Sequence, residues 1–80
     1  MSLDDIIDMV SQAVAAVLDT DPQSLDRERP FHELGIDSVL AVGLSAEFED
    51  TLGVVLDPEI AFEHDTVNKV SHYLHTLVNP

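Results

Sequence analysis

Seven apolar residues near the start of the chain, Leu3, Ile6, Ile7, Val10, Val14, Val17 and Leu18, recur at three- and four-residue spacing. That spacing draws one stripe down the side of a helix, whereas a strand would need apolar residues at every second position. It predicts a helix over 3–18. Ser2 stands ahead of it as a cap, and Asp5, three residues on, completes an acidic variant of the capping box. Asp4, Asp5 and Asp8 lie near the positive end of the helix dipole, the end that favours carboxylates. The period then fails at "DTDPQ", where Pro22 and its neighbours are expected to stop the helix.

A helix with one apolar side must bury it, and this chain offers only aliphatic partners. It has 80 residues, no cysteine and no tryptophan; hydrophobic residues make up 45% of it and aromatic ones 5%. Disulfides and thiolate-rich metal sites are thereby excluded. The length predicts one domain over 1–80. An aliphatic core suits a small helical bundle better than a β-sandwich, which leans on aromatic and β-branched strands.

From Asp19 to Asp37 no period holds, and a loop of that length in a compact domain needs anchors of its own. Leu25, Phe31, Leu34 and Ile36 fit that role, while "DRERP" belongs in solvent. Gly35 supplies a turn just ahead of Asp37. A second helix is predicted over 38–52, ending at Gly53, with Leu40, Leu44, Phe48 and Leu52 as its core row. Asp57 as cap and Pro58 at the first helical position predict a short helix to about Phe62. Asp65 or Thr66 starts the last helix, with Val67, Val70, Leu74, Leu77 and Val78 facing inward. The expected fold is all-α: a small four-helix bundle, three main helices plus one short one, with a long loop between the first and second helices.

Sixteen acidic side chains against three basic ones leave a net charge of −13. Such a surface repels nucleic acid and anionic membranes. It attracts basic protein partners and speeds their encounter, and it also keeps a small protein soluble. The start, "MSLDDIIDMV", has neither the basic region nor the apolar stretch of a signal peptide. No segment is long and apolar enough to span a bilayer, so the expected compartment is the cytoplasm. The absence of linker-like flanks leads to the expectation of a free-standing protein.

"ELGIDSVLAVGL" places Ser38 where the loop becomes the second helix. Two readings are open. A serine there commonly caps the helix by accepting an amide hydrogen bond. Asp37 is an equally good cap, and if it takes that role Ser38 becomes the first helical residue with a free hydroxyl. A phosphate ester on that oxygen would then sit beside the amides of Val39 and Leu40, where helices favour anions. The second helix also carries a spare apolar strip, Val39, Val42 and Ala46, with Gly43 among them and Glu47, Glu49 and Asp50 nearby. It is either part of a wide buried face or an exposed patch framed in negative charge for a partner.

"ELGIDSVLAVGLSAEFEDTLGVVLDPEIAFEHDTV" resembles the attachment region of the acyl carrier proteins. The resemblance rests on Leu34, Gly35, Asp37 and Ser38, on Val39 after them, on "LGVVL" at the end of the second helix, and on Phe62, Thr66 and Val67. It extends over nearly the whole chain through length, helix order and the long first loop. It implies that a phosphopantetheinyl transferase moves 4′-phosphopantetheine from coenzyme A onto Ser38, and that the arm's thiol holds acyl groups as thioesters. It implies partners with basic docking surfaces, a ketosynthase and an acyltransferase among them, that dock against the second helix. Val39, Val42 and Ala46 would make contact, and Asp37 and Glu47 would steer. The implied protein is a monomer with no catalysis of its own, and its gain is the effective concentration of a tethered intermediate. "LGIDSV" and "FEHDTV" look more like polyketide-synthase carriers than peptidyl ones, and fatty-acid carriers share the acidity. One departure stands out. Where many relatives carry a glutamate five residues after the serine, this chain has Gly43, which costs a helix interior about 1 kcal/mol relative to alanine.

The same residues admit readings from other classes. A serine beside an aspartate, with four histidines in the chain, invites a hydrolytic triad. Eighty residues of helical design leave little room for a nucleophile elbow, an oxyanion hole and a pocket together. His72 and His75 are three apart and could share a helix face, yet no third ligand accompanies them, and His32 and His64 have no pairing. No EF-hand loop is present. No catalytic residue and no metal site are assigned. The remaining rival is an acidic interaction module that carries nothing, for which Ser38 would be dispensable.

Overall fold

A computed structural model describes residues 1–79; Pro80, the last residue of the expected 1–80 domain, lies outside the described residues. Four α-helices follow one another: α1 (Leu3–Leu18), α2 (Ser38–Leu52), α3 (Ile60–Glu63) and α4 (Val67–Val78). No strand occurs among the described residues. The fold is the expected all-α bundle of three main helices and one short one.

α1 begins as its sequence predicts. The Ser2 hydroxyl accepts from the Asp5 amide at 3.1 Å, and the Asp5 carboxylate accepts from the Ser2 amide at 3.3 Å. It ends at Leu18 as expected, but by a different means. The chain turns at Asp19, which adopts left-handed geometry (φ 54°, ψ 50°) and donates its amide to the Ala15 and Ala16 carbonyls, three residues before Pro22. Aspartate is among the few non-glycine residues that tolerate this conformation. The helix is thus closed by its own terminal hydrogen bonds before the proline is reached.

The long loop contains two 3₁₀ turns, Pro22–Ser24 and Phe31–Leu34, that no periodicity signals. Asp21 starts the first by accepting from the Gln23 amide at 2.9 Å. The loop is anchored as well as capped. Phe31 and Ile36 are buried, and Leu25 and Leu34 pack half-buried against the core. The Phe31 amide donates to the Asp65 carbonyl at 2.8 Å, and the Asn68 amide to the Arg27 carbonyl at 3.2 Å, tying the loop to the start of α4. Asp26 to Arg29 remain exposed.

α1 packs chiefly on α4 and also on α2, and α3 packs on α2. Ile6, Val10, Val14, Leu44, Phe48, Ile60, Val67, Val70 and Leu74 form the centre of one aliphatic core. Leu3, Ile7, Val17 and Leu18 are only half-buried, and Ala13, Ala15 and Ser11 complete the hidden side of α1. In α2 the expected core row is half right. Leu44 and Phe48 are buried, Leu40 and Leu52 partly so, and Ala41 and Ser45 fill the remaining face.

One boundary near the C-terminal end departs from expectation, and one agrees with it. The Asp57 carboxylate accepts from the Glu59 amide at 2.8 Å and forms a turn instead of capping a helix. α3 therefore starts at Ile60, past Pro58, and runs to Glu63. Thr66 caps α4 by accepting from the Lys69 amide at 3.0 Å. Leu77, expected inside, is 39% exposed: it lies at the edge of the apolar row of α4, and Val78, one residue on, is the one that packs against the core.

Candidate functional site: the start of the second helix

Gly35 breaks the second 3₁₀ turn in left-handed geometry (φ 95°), and the buried Ile36 pins the next residue to the core. These two residues deliver Asp37 in extended conformation to the head of α2. The Asp37 carboxylate accepts from the Leu40 amide at 2.9 Å and holds the cap. Ser38 is then the first residue of the helix, exposed to solvent, and the helix start asks nothing of its hydroxyl. Of the two readings of this serine, the structure adopts the one in which aspartate caps.

One detail of that reading changes. The Leu40 amide is consumed by Asp37, so it does not face an anion on Ser38. The amides of Ser38 and Val39 remain, at the positive end of the helix dipole. A phosphate ester fits there: the anchoring oxygen is exposed and unneeded for folding, and two helical amides lie beside it.

The spare strip on α2 faces outward. Val39 is 76% exposed and Val42 45%, and Gly43 and Ala46 are exposed as well. At 100° per residue they share the side opposite Ala41, Leu44, Ser45 and Phe48. The strip is a surface patch and not a wide core face. Its acidic frame is smaller than expected. Glu49 turns away to accept from the Leu56 amide at 2.7 Å, closing the chain as it leaves α2. Glu47 stands at the edge of the strip, where it joins Asp5 and Asp8 of α1 along a groove floored by Met9, Ala13 and Ala16. Asp50 is exposed.

On the other flank of α2 a cleft of about 100 Å³ opens between Phe31, Ile36, Ala41, Ala61 and Phe62. It is smaller than the roughly 150 Å³ apolar cavity that holds a benzene ring. Phe62 is 52% exposed and Val55, in the α2–α3 connection, 95%. Neither stands out in the sequence as a surface residue; Phe62 reads there as the end of a helix and as part of the resemblance.

The histidines lie elsewhere. His64 stacks on Tyr73, with ring centroids 4.3 Å apart, and so fastens the end of α3 to α4. His72 is exposed and His75 half-buried. Among the described residues no three histidine, aspartate or glutamate side chains converge on a possible metal position.

Residues 8–74 match the family described as the phosphopantetheine attachment site. The chain belongs to that family. Its members carry 4′-phosphopantetheine covalently on a serine, and the chain is a phosphopantetheine carrier domain. It is similar to a phenolphthiocerol/phthiocerol polyketide synthase of Mycobacterium tuberculosis, with 37% identity over 67 residues and 84% of the chain covered. The carrier spans only 4% of that synthase polypeptide's length. The acyl carrier protein TtuC of Teredinibacter turnerae is 24% identical and is matched over 85% of its own length and 92% of this chain. Among solved structures, a free-standing peptidyl carrier protein from Acinetobacter baumannii superposes with a TM-score of 0.83 at 26% identity, covering 88% of each chain. No helix of this carrier, among the described residues, is long and apolar enough to cross a membrane.

Proposed function

We propose that Ser38 is the serine that bears the 4′-phosphopantetheine arm, and that the cargo is a polyketide intermediate. One observation carries the assignment of Ser38. Of the serines within the matched residues, Ser11, Ser45 and Ser71 are buried, and the Ser24 hydroxyl donates to the Asp21 carbonyl at 2.8 Å. Ser38 is exposed, and Asp37 relieves it of the cap. The polyketide reading is supported by the similarity to synthases of that class, two of which, at 32% and 37% identity, stand above the 24% of the carrier TtuC.

Loading begins at the serine. The Ser38 Oγ forms a bond to the β-phosphorus of coenzyme A, the pyrophosphate P–O bond breaks, and adenosine 3′,5′-bisphosphate leaves. The serine proton passes to a base of the transferase. The exposed helix end leaves Oγ free to attack the phosphorus, and the Ser38 and Val39 amides favour the phosphodiester charge that results. When bound, the arm supplies a terminal thiol that holds acyl groups as thioesters. The domain, which we read as the whole of 1–80, fixes the attachment point and presents one face of α2. Partner enzymes of the ketosynthase and acyltransferase type, with basic docking surfaces, meet Val39, Val42 and Ala46, steered by Asp37 and Glu47. On this reading the carrier is a monomer, catalyses nothing itself, and works in the cytoplasm, where coenzyme A is the donor.

The test is intact-protein mass before and after incubation with coenzyme A, Mg²⁺ and a broad-specificity phosphopantetheinyl transferase. The expected result is a gain of one phosphopantetheine that is absent in Ser38→Ala. A gain that persists in Ser38→Ala would move the attachment to another serine. No gain, with a transferase active on a control carrier, would overturn the reading for that enzyme class.

A further inference from the structure

Gly43 is a glycine that the fold does not require. It lies in the middle of α2 with ordinary helical geometry, unlike Gly35 and Gly53, whose positive φ values explain them. A Cβ built on Gly43 meets nothing within 4 Å. Any other residue except proline would fit there and would hold the helix better. The position is exposed, so no packing partner inside the chain gains from its emptiness.

Three other features on the same side of α2 also work against the isolated domain. Val39 and Val42 expose apolar surface to water. Asp50 stands in the last turn, where the helix dipole favours a cation. α2 carries no lysine or arginine to offset Glu47 and Asp50. The chain's basic residues lie elsewhere, and Arg29 and Lys69 are paired with Asp26 and Asp65. Where local rules are broken together on one face, the compensating gain is to be sought outside the chain.

We propose that Gly43 is the close-approach point for the phosphopantetheinyl transferase: a notch without a side chain, against which a backbone segment of that enzyme lies. Val39, Val42 and Ala46 border the notch on one side, and Glu47 and Asp50 meet basic residues at the enzyme's rim. The inference rests on Ser38 as the attachment serine. It selects the transferase because that enzyme must bring its reacting atoms to the Ser38 oxygen itself. Enzymes that act later meet the same face of α2 but reach their substrate through the arm, so none of them has to bring its reacting atoms to the helix itself. Gly43 is five residues from Ser38, about 7.5 Å along the same helix axis, inside the area such an enzyme must cover. The charge agrees, since an acidic patch with no cation of its own calls for a basic partner.

The experiment compares the full-length protein with Gly43→Ala and Gly43→Leu, and with His72→Leu on the exposed side of α4 as a control. Initial rates of modification are read by intact mass over a range of carrier concentrations, and thermal midpoints by circular dichroism. Both glycine variants are expected to melt higher, by roughly 4–8 °C. Their kcat/KM for modification is expected to fall in order of side-chain size, by a few-fold for alanine and roughly 10- to 100-fold for leucine. The loss should appear mainly in KM, as expected when docking rather than chemistry is impaired. His72→Leu should be modified at the wild-type rate. Modification of the glycine variants at the wild-type rate would overturn the proposal, whichever way their midpoints move. A wild-type protein that gains no mass would instead overturn the Ser38 reading, and this inference with it.

Discussion

Asp37 and Ser38 divide between them two tasks that a single residue at a helix start often performs. The carboxylate satisfies an orphan amide of α2, and the hydroxyl is left over. That division predicts the behaviour of Asp37 variants. Asp37→Ala should cost about 1 kcal/mol of stability. It should also slow modification, because Ser38 becomes the nearest hydroxyl able to take the vacant cap. Asp37→Asn keeps a capping oxygen and removes the charge, so it should recover the thermal midpoint but only part of the modification rate. Melting curves and mass-monitored initial rates on the two variants decide the matter. An asparagine variant modified at the full wild-type rate would remove Asp37 from the steering of partners and leave it the cap alone.

At the scale of elements, the three buried serines show how differently one residue type can serve neighbouring helices. Ser45 donates within 3.2 Å of both the Ala41 and the Pro58 carbonyls, and so ties α2 to the segment leading into α3. Ser11 and Ser71, on α1 and α4, are equally buried, but their hydroxyls have no partner among the described residues. A buried hydroxyl without a partner costs stability, and one that bridges two elements contributes it. Ser71→Ala should therefore stabilise the protein by about 1 kcal/mol, and Ser45→Ala should destabilise it by a similar amount. Denaturant titration of the two variants reads the opposite signs directly. Loss of stability in Ser71→Ala would mean that a water bridges that hydroxyl.

For the molecule as a whole, a net charge of −13 on 80 residues sets folding against association. Two ion pairs form among the described residues, Arg29 with Asp26 at 4.0 Å and Lys69 with Asp65 at 3.3 Å; both are exposed and contribute little. Self-repulsion destabilises the compact state, and the same field draws basic partners in. Raising the ionic strength from about 0.01 M to 0.1 M shortens the Debye length from roughly 30 Å to 10 Å. The thermal midpoint should rise over that range while the rate of modification by the transferase falls. A rate that does not respond to salt would remove electrostatic steering from the account.

Helix periods, caps and turn residues act over a few positions, so they can be read without the fold. That is why α1 with its capping box, α2 ending at Gly53, and the turn at Gly35 were legible, and why Ser38 stood out at a helix start. The resemblance carried by Leu34, Gly35, Asp37 and Ser38 supplied the family. What the sequence left open depended on which surfaces meet. It could not say whether Asp37 or Ser38 would cap, nor whether Val39, Val42 and Ala46 were core or surface, since a helix has the same period on either side. It placed Glu49 in an acidic frame, whereas the path of the chain after α2 brings the Leu56 amide to it. It placed both Leu77 and Val78 inside, whereas only Val78 packs against the core. It held no sign that Gly43 faces open space. Local sequence determined where helices begin and which residues they offer; the packing of α1 and α3 on α2 decided which of its residues are left for another protein to touch, because burial belongs to the assembled bundle and to no single helix.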